Sequence, residues 1–114
     1  MMMSILLVSC FQGETSLEKK FLIGKEFKLE TSNMTKVYEE IIPYEEEDNI
    51  EFDMNVRSGT AEISLLSEDN TEVYSGVLTE GDMDFIVNII EKGDYRLTIN
   101  LDKVTADFEI KPRD

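Results

Sequence analysis

The chain has 114 residues, room for one domain around a single hydrophobic core and too few for two. Lys and Arg number 11 against 25 Asp and Glu, a formal charge of −14. A surface of that sign repels a phosphate backbone, and with no histidine and one cysteine the chain excludes Ser-His-Asp and Cys-His catalysis, Cys/His zinc sites and an internal disulfide.

Met1 to Val8 carries no charged side chain and is apolar apart from Ser4, too short for a membrane-spanning helix, which needs about 20 apolar residues. It suits the apolar region of an export signal followed by a processing site, with only the terminal amine in place of a basic region. The run Met1-Met2-Met3 leaves open a start inside a longer leader. Leu7-Val8-Ser9-Cys10 resembles the lipobox of bacterial lipoproteins. That resemblance implies that Cys10 is lipidated and becomes the mature N-terminus, so that the chain is exported and anchored to a membrane of the bacterial envelope. Gln12 to Lys20, with Gly13, Thr15, Ser16, Glu18 and two lysines, reads as a spacer behind the anchor. The expected organisation is a leader over residues 1–9, an anchor and spacer over 10–24 and a folded domain over 25–112. In the competing reading Ile5 to Val8 is a first core strand and Cys10 a small buried hydrophobe.

From Lys25 onward, apolar residues recur at every second position and turn residues fill the breaks, the signature of successive short strands. Phe27 and Leu29 begin the first, and Ser32-Asn33 reads as a turn into a second run from Met34 to Ile42, whose phase Val37 and Ile41 set one way and Tyr38 and Ile42 the other. Pro43 ends that run or places it on an edge, because proline has no N–H for the ladder. Ile50, Phe52, Met54 and Val56 then alternate with Glu51, Asp53 and Asn55. Ser58-Gly59 turns into Ala61, Ile63 and Leu65, and Glu68-Asp69-Asn70 into Val73 and Tyr74. Gly76 suggests a bulge or a close approach of backbone. Met83, Phe85, Val87 and Ile89 alternate after Glu80-Gly81-Asp82, then Tyr95, Leu97, Ile99 and Leu101 after Gly93, and Val104, Ala106, Phe108 and Ile110 after Asp102-Lys103.

About eight strands at spacings near ten residues predict an all-β, antiparallel two-sheet β-sandwich, jelly-roll-like with an immunoglobulin-like arrangement as the alternative. The stretch from Gly93 to Leu101, a glycine turn, an aromatic and alternating aliphatics, resembles the terminal hairpins of bacterial jelly-roll modules, including the pre-peptidase C-terminal type, and of small lipoproteins.

Carboxylates are the only reactive groups in surplus, and nothing selects a catalytic pair, so the chain is expected not to be an enzyme. Glu45, Glu46, Glu47 and Asp48, and Glu80, Asp82 and Asp84, are the candidate calcium ligands, since calcium takes six to eight hard oxygens; neither cluster matches an EF-hand loop, and a solvated acidic turn explains both more simply. No other cofactor is expected. Glycan binding on a sandwich calls for exposed rings; there is no tryptophan, Tyr95 is in phase with the core, and Tyr38 and Tyr44 beside the acidic turn are the rings expected outside. The expected function is a lipid-anchored, non-enzymatic interaction or spacer module of the bacterial envelope, with a calcium- or carbohydrate-binding accessory module as the alternative. Its partners are then the membrane through Cys10 and a protein or glycan, not nucleic acid.

Overall fold

The computed structural model describes residues 16–113, so the leader and Cys10 lie outside the described residues. These contain six antiparallel strands and no helix: β1 (Leu17–Ile23), β2 (Glu26–Tyr44), β3 (Asn49–Leu66), β4 (Glu72–Leu78), β5 (Gly81–Asn88) and β6 (Gly93–Arg113). The ladder runs β1-β2-β6-β3-β4, with β5 also on β3. β2, β3 and β6 are about three times the usual strand length, and each serves two sheets.

In the first sheet, residues 27–31 of β2, 106–112 of β6 and 50–56 of β3 lie side by side, flanked by β1 and β5. In the second, residues 36–44 of β2, 93–101 of β6 and 61–66 of β3 lie side by side, flanked by β4. One face of each is apolar: Phe27, Leu29, Phe52, Met54, Phe108 and Ile110 in the first, Tyr38, Ile42, Ile63, Leu65, Leu97 and Ile99 in the second, all buried in one core. The rings of β4 and β5 fasten the layers together. Tyr74 of the second sheet packs at 5.8 Å from Phe52 and 4.5 Å from Phe85 of the first, and Phe52 stacks on Phe85 at 4.9 Å. The fold is therefore the expected antiparallel two-sheet sandwich.

The strand count differs from expectation at three places with one cause. Ser32-Asn33, Ser58-Gly59 and Asp102-Lys103 do not reverse the chain; they are corners at which a continuous strand bends from one sheet into the other. The ladder register slips at all three, between Thr31 and Lys36, Val56 and Thr60, and Asp102 and Thr105. Asn33, Gly59 and Lys103 take positive φ values of 48°, 89° and 54°. Such bulges bend a strand without ending its pairing. Backbone groups freed by the slip find side chains instead: Asn33 N–H donates to Thr105 Oγ1 and Lys103 N–H to Thr35 Oγ1, both at 3.0 Å, while Thr31 Oγ1 donates to Val104 O at 3.0 Å.

β1 also departs from expectation: Leu17–Ile23 falls within the expected spacer of residues 10–24 but pairs with β2 over its whole length. Its alternation is inverted. Glu18, Lys20 and Leu22 share the inward side with Phe27 and Leu29 by register, whereas Leu17, Phe21 and Ile23 are exposed. The inward charges are accommodated at the rim: Glu18 accepts from the Tyr38 hydroxyl and pairs with Lys36 at 3.0 Å, and Lys20 pairs with Glu40. Gly76 produces no bulge; the Tyr74 ring lies over it, with Tyr74 Cζ 3.1 Å from where a β-carbon would stand.

Candidate functional site

The aromatic candidates are both interior. Tyr38 is 4% exposed and Tyr44 1%, so neither offers a platform, correcting the expectation of exposed rings. Val37 and Ile41 take the outer side of β2 instead, because registry with Ile99 and Tyr95 of β6 turns Tyr38 and Ile42 inward. Burial pushes both phenols well above the ordinary tyrosine range, with Glu18 adding to the effect at Tyr38 and Asp48 at Tyr44, so both stay protonated. The Tyr44 hydroxyl has no hydrogen-bond partner among the described residues.

The acidic candidates are dispersed. Glu45, Glu46 and Glu47 are exposed on the β2–β3 turn. Asp48 closes that turn: it accepts from Lys25 Nζ and from the Glu45 N–H, both at 2.8 Å, and these hydrogen bonds hold its carboxyl below the ordinary carboxylate range. Glu80 lies in the β4–β5 turn, and Asp82 and Asp84 stand on the outer face of the first sheet opposite Asn55 and Asp53. No group of three or more potential metal ligands of the His, Cys, Asp or Glu type occurs among the described residues. Cys10 lies outside them.

What the fold brings together is a contrast between its two outer faces. The first sheet is strongly charged: register sets Lys28, Glu109, Asp53 and Asp84 in one row across β2, β6, β3 and β5, and Glu30, Asp107, Asn55 and Asp82 in the next. Arg57 meets Asp107 at 3.1 Å and Lys28 meets Glu109 at 3.6 Å, whereas Asp53 and Asp84 face each other with no ion pair among the described residues. The second sheet is less densely charged, with two carboxylates and six uncharged residues in its central rows. Its rows are Val37, Asn100, Glu62 and Val77, then Glu39, Thr98, Ser64 and Ser75. Val37, Ile41 and Val77 are 57%, 56% and 61% exposed on the flanking strands. Two shallow depressions of about 340 and 400 Å³ share Glu62 and Asn100 and run together as a trough along this face. Its hydroxyls and an amide can donate and accept hydrogen bonds, and the carboxylates of Glu62 and Asp102, which also line it, accept them.

The sequence marks none of these trough residues as a site. Alternation marks Thr98 and Asn100 as outward on β6, but nothing local says that Glu62 and Ser64, more than thirty residues away, lie beside them.

No protein-family model matches the chain, and no curated protein does. Several solved structures are similar to it over most of its length. A CBM4 module is 9% identical, with a TM-score of 0.45 over 86% of this chain and 78% of that one. The carbohydrate binding module CBM6cm-2 of Cellvibrio mixtus lichenase 5A, in complex with cellotriose, is 8% identical, with a TM-score of 0.48 over 87% and 86%. The CENP-C cupin domain of Drosophila melanogaster is 11% identical, with a TM-score of 0.42 over 94% and 80%. Likenesses this distant carry no argument about a ligand.

Proposed function

We propose that the chain is a non-catalytic binding module that takes a glycan along the trough of the second sheet, displayed outside the cell membrane from acyl chains on Cys10. The observation that supports the glycan is the trough itself, a strip of Ser64, Thr98 and Asn100 bounded by the carboxylates of Glu62 and Asp102 and flanked by exposed valine and isoleucine. Sugar hydroxyls both donate and accept, as these side chains do, and the C–H faces of a sugar ring pack on aliphatic side chains. An anionic ligand gains nothing from the rest of the surface. With no aromatic ring in the trough, affinity is modest, with a Kd on the order of 1 mM or about −4 kcal/mol.

Isothermal titration with soluble neutral polysaccharides, chosen from a glycan array, tests this reading. Asn100→Ala removes a floor group worth about 1 kcal/mol and is expected to weaken binding about five-fold, while Asp84→Asn on the opposite sheet leaves it unchanged. No binding by the wild type, or equal loss in both variants, overturns the reading.

The anchor rests on the likeness of Leu7 to Cys10 to a lipobox. Two or more acyl chains hold a protein at a bilayer stably where one does not, at about 0.8 kcal/mol per buried CH₂. In cells fed an alkyne fatty acid, the wild type is expected to take up label and Cys10→Ala to take up none and leave the membrane fraction. Equal labelling of the two proteins refutes the anchor.

A further inference from the structure

β4 is the terminal strand of the second sheet, and no described residue pairs with its outer edge. The other free edges carry charge or proline. β1 has Glu18, Lys19 and Lys20, β5 has Asp82 and Asp84, and the second half of β2 has Lys36, Glu39, Glu40 and Pro43. Such residues discourage edge-to-edge pairing. In β4, Val73, Tyr74, Ser75, Gly76, Val77 and Leu78 are uncharged, leaving only Glu72 at the end of the strand. Among the described residues it is the one free edge where two copies can meet without setting like charges opposite each other.

We propose that β4 pairs antiparallel with β4 of a second copy of this chain, on a two-fold axis through Ser75. The edge is self-complementary in that register. Val73 then stands opposite Val77 of the second copy, on the outer side where both are exposed (37% and 61%). Tyr74 stands opposite Gly76 on the inner side, where each ring stays over Gly76 of its own chain and against Phe52 and Phe85, and the small Ser75 meets its own copy on the axis. A shift of one residue sets side chains on opposite faces, and a shift of two in either direction breaks the valine pairs. The contact is isologous and closes at two chains. It also keeps both outer faces of the second sheet on the same side, so the troughs of the two copies become neighbours. The dimer does not depend on what the trough binds.

Because each copy carries −14, the dimer is expected to tighten as salt rises from about 20 mM to about 300 mM, where the Debye length falls well below 10 Å. Sedimentation equilibrium of the full chain carrying Cys10→Ser is expected to show a salt-strengthened dimer. Ser75→Lys places two ammonium groups on the axis and is expected to raise the dissociation constant on the order of 100-fold, and mixing it with Ser75→Glu restores association. Cysteine crosslinking in the same background reads the register. Under mild oxidation Ser75→Cys is expected to form a disulfide dimer. Val77→Cys, about 13 Å from its own copy, is expected to form none alone and to crosslink when mixed with Val73→Cys. A wild type that stays monomeric at about 0.5 mM in high salt, or Val77→Cys crosslinking alone as readily as Ser75→Cys, overturns the proposal.

Discussion

Replacing Gly59 with alanine is expected to cost about 4 kcal/mol, a large part of the 5–15 kcal/mol that holds a domain of this size together, and to show as a lowered urea midpoint or as failure to fold. Two effects add. The backbone at Gly59 has a φ of +89°, beyond the left-handed helical region that L residues reach most readily. A β-carbon there would also lie 2.6 Å from the carbonyl carbon of Lys103 and 2.7 Å from the carbonyl oxygen of Asp102. Both are backbone atoms of the neighbouring corner in β6, so no side chain can swing aside to relieve the overlap. Gly24→Ala separates the terms, because Gly24 has a φ of +61° and nothing within 4 Å of its would-be β-carbon. It is expected to cost only about 1 kcal/mol, the strain alone. If the two substitutions destabilise equally, the close crossing of the β3 and β6 corners is refuted.

Phe52→Ala is expected to cost 3–5 kcal/mol, roughly the range seen when a buried phenylalanine is truncated. Phe52 is fully buried and stacks on Phe85 within its own sheet while touching Tyr74 of the other, so its loss opens a cavity where the layers meet and removes ring contacts worth about 1 kcal/mol beyond area. Ile41→Ser, on the outer face of β2, changes exposed surface only and is expected to stay within about 0.5 kcal/mol of wild type. Equal shifts in the unfolding midpoints of Phe52→Ala and Ile41→Ser would contradict the assignment of inner and outer faces.

The residues of the core were legible wherever apolar and polar side chains alternate cleanly. Ile50 to Val56, Tyr95 to Leu101 and Val104 to Ile110 read as strands with one wet face, and their apolar members are the ones buried. Alternation failed on β1 because an edge strand at the rim can turn Glu18 and Lys20 inward, satisfied by Tyr38, Lys36 and Glu40, and leave Leu17 and Ile23 outside. It was ambiguous on β2, where Val37 and Tyr38 are each credible core residues and only the partner strand decides between them. Turn residues point to reversals at Asn33, Gly59 and Lys103, and all three do take positive φ, but here that geometry bends the strands instead of reversing them.

The sequence by itself determined the all-β class, the wet and dry faces of the later strands and the exclusion of histidine-dependent chemistry. Each of these follows from composition or from a period of two residues, which is local information. Only the tertiary structure decided that three long strands each bend through both sheets, that Tyr38 and Tyr44 are interior, and that one outer face is dense in charge while the other is mostly uncharged hydroxyl, amide and aliphatic side chains. Those properties arise from pairing between residues as distant as Thr31 and Ala106 or Glu62 and Asn100, and the identity of a strand's neighbour is not written in its own alternation.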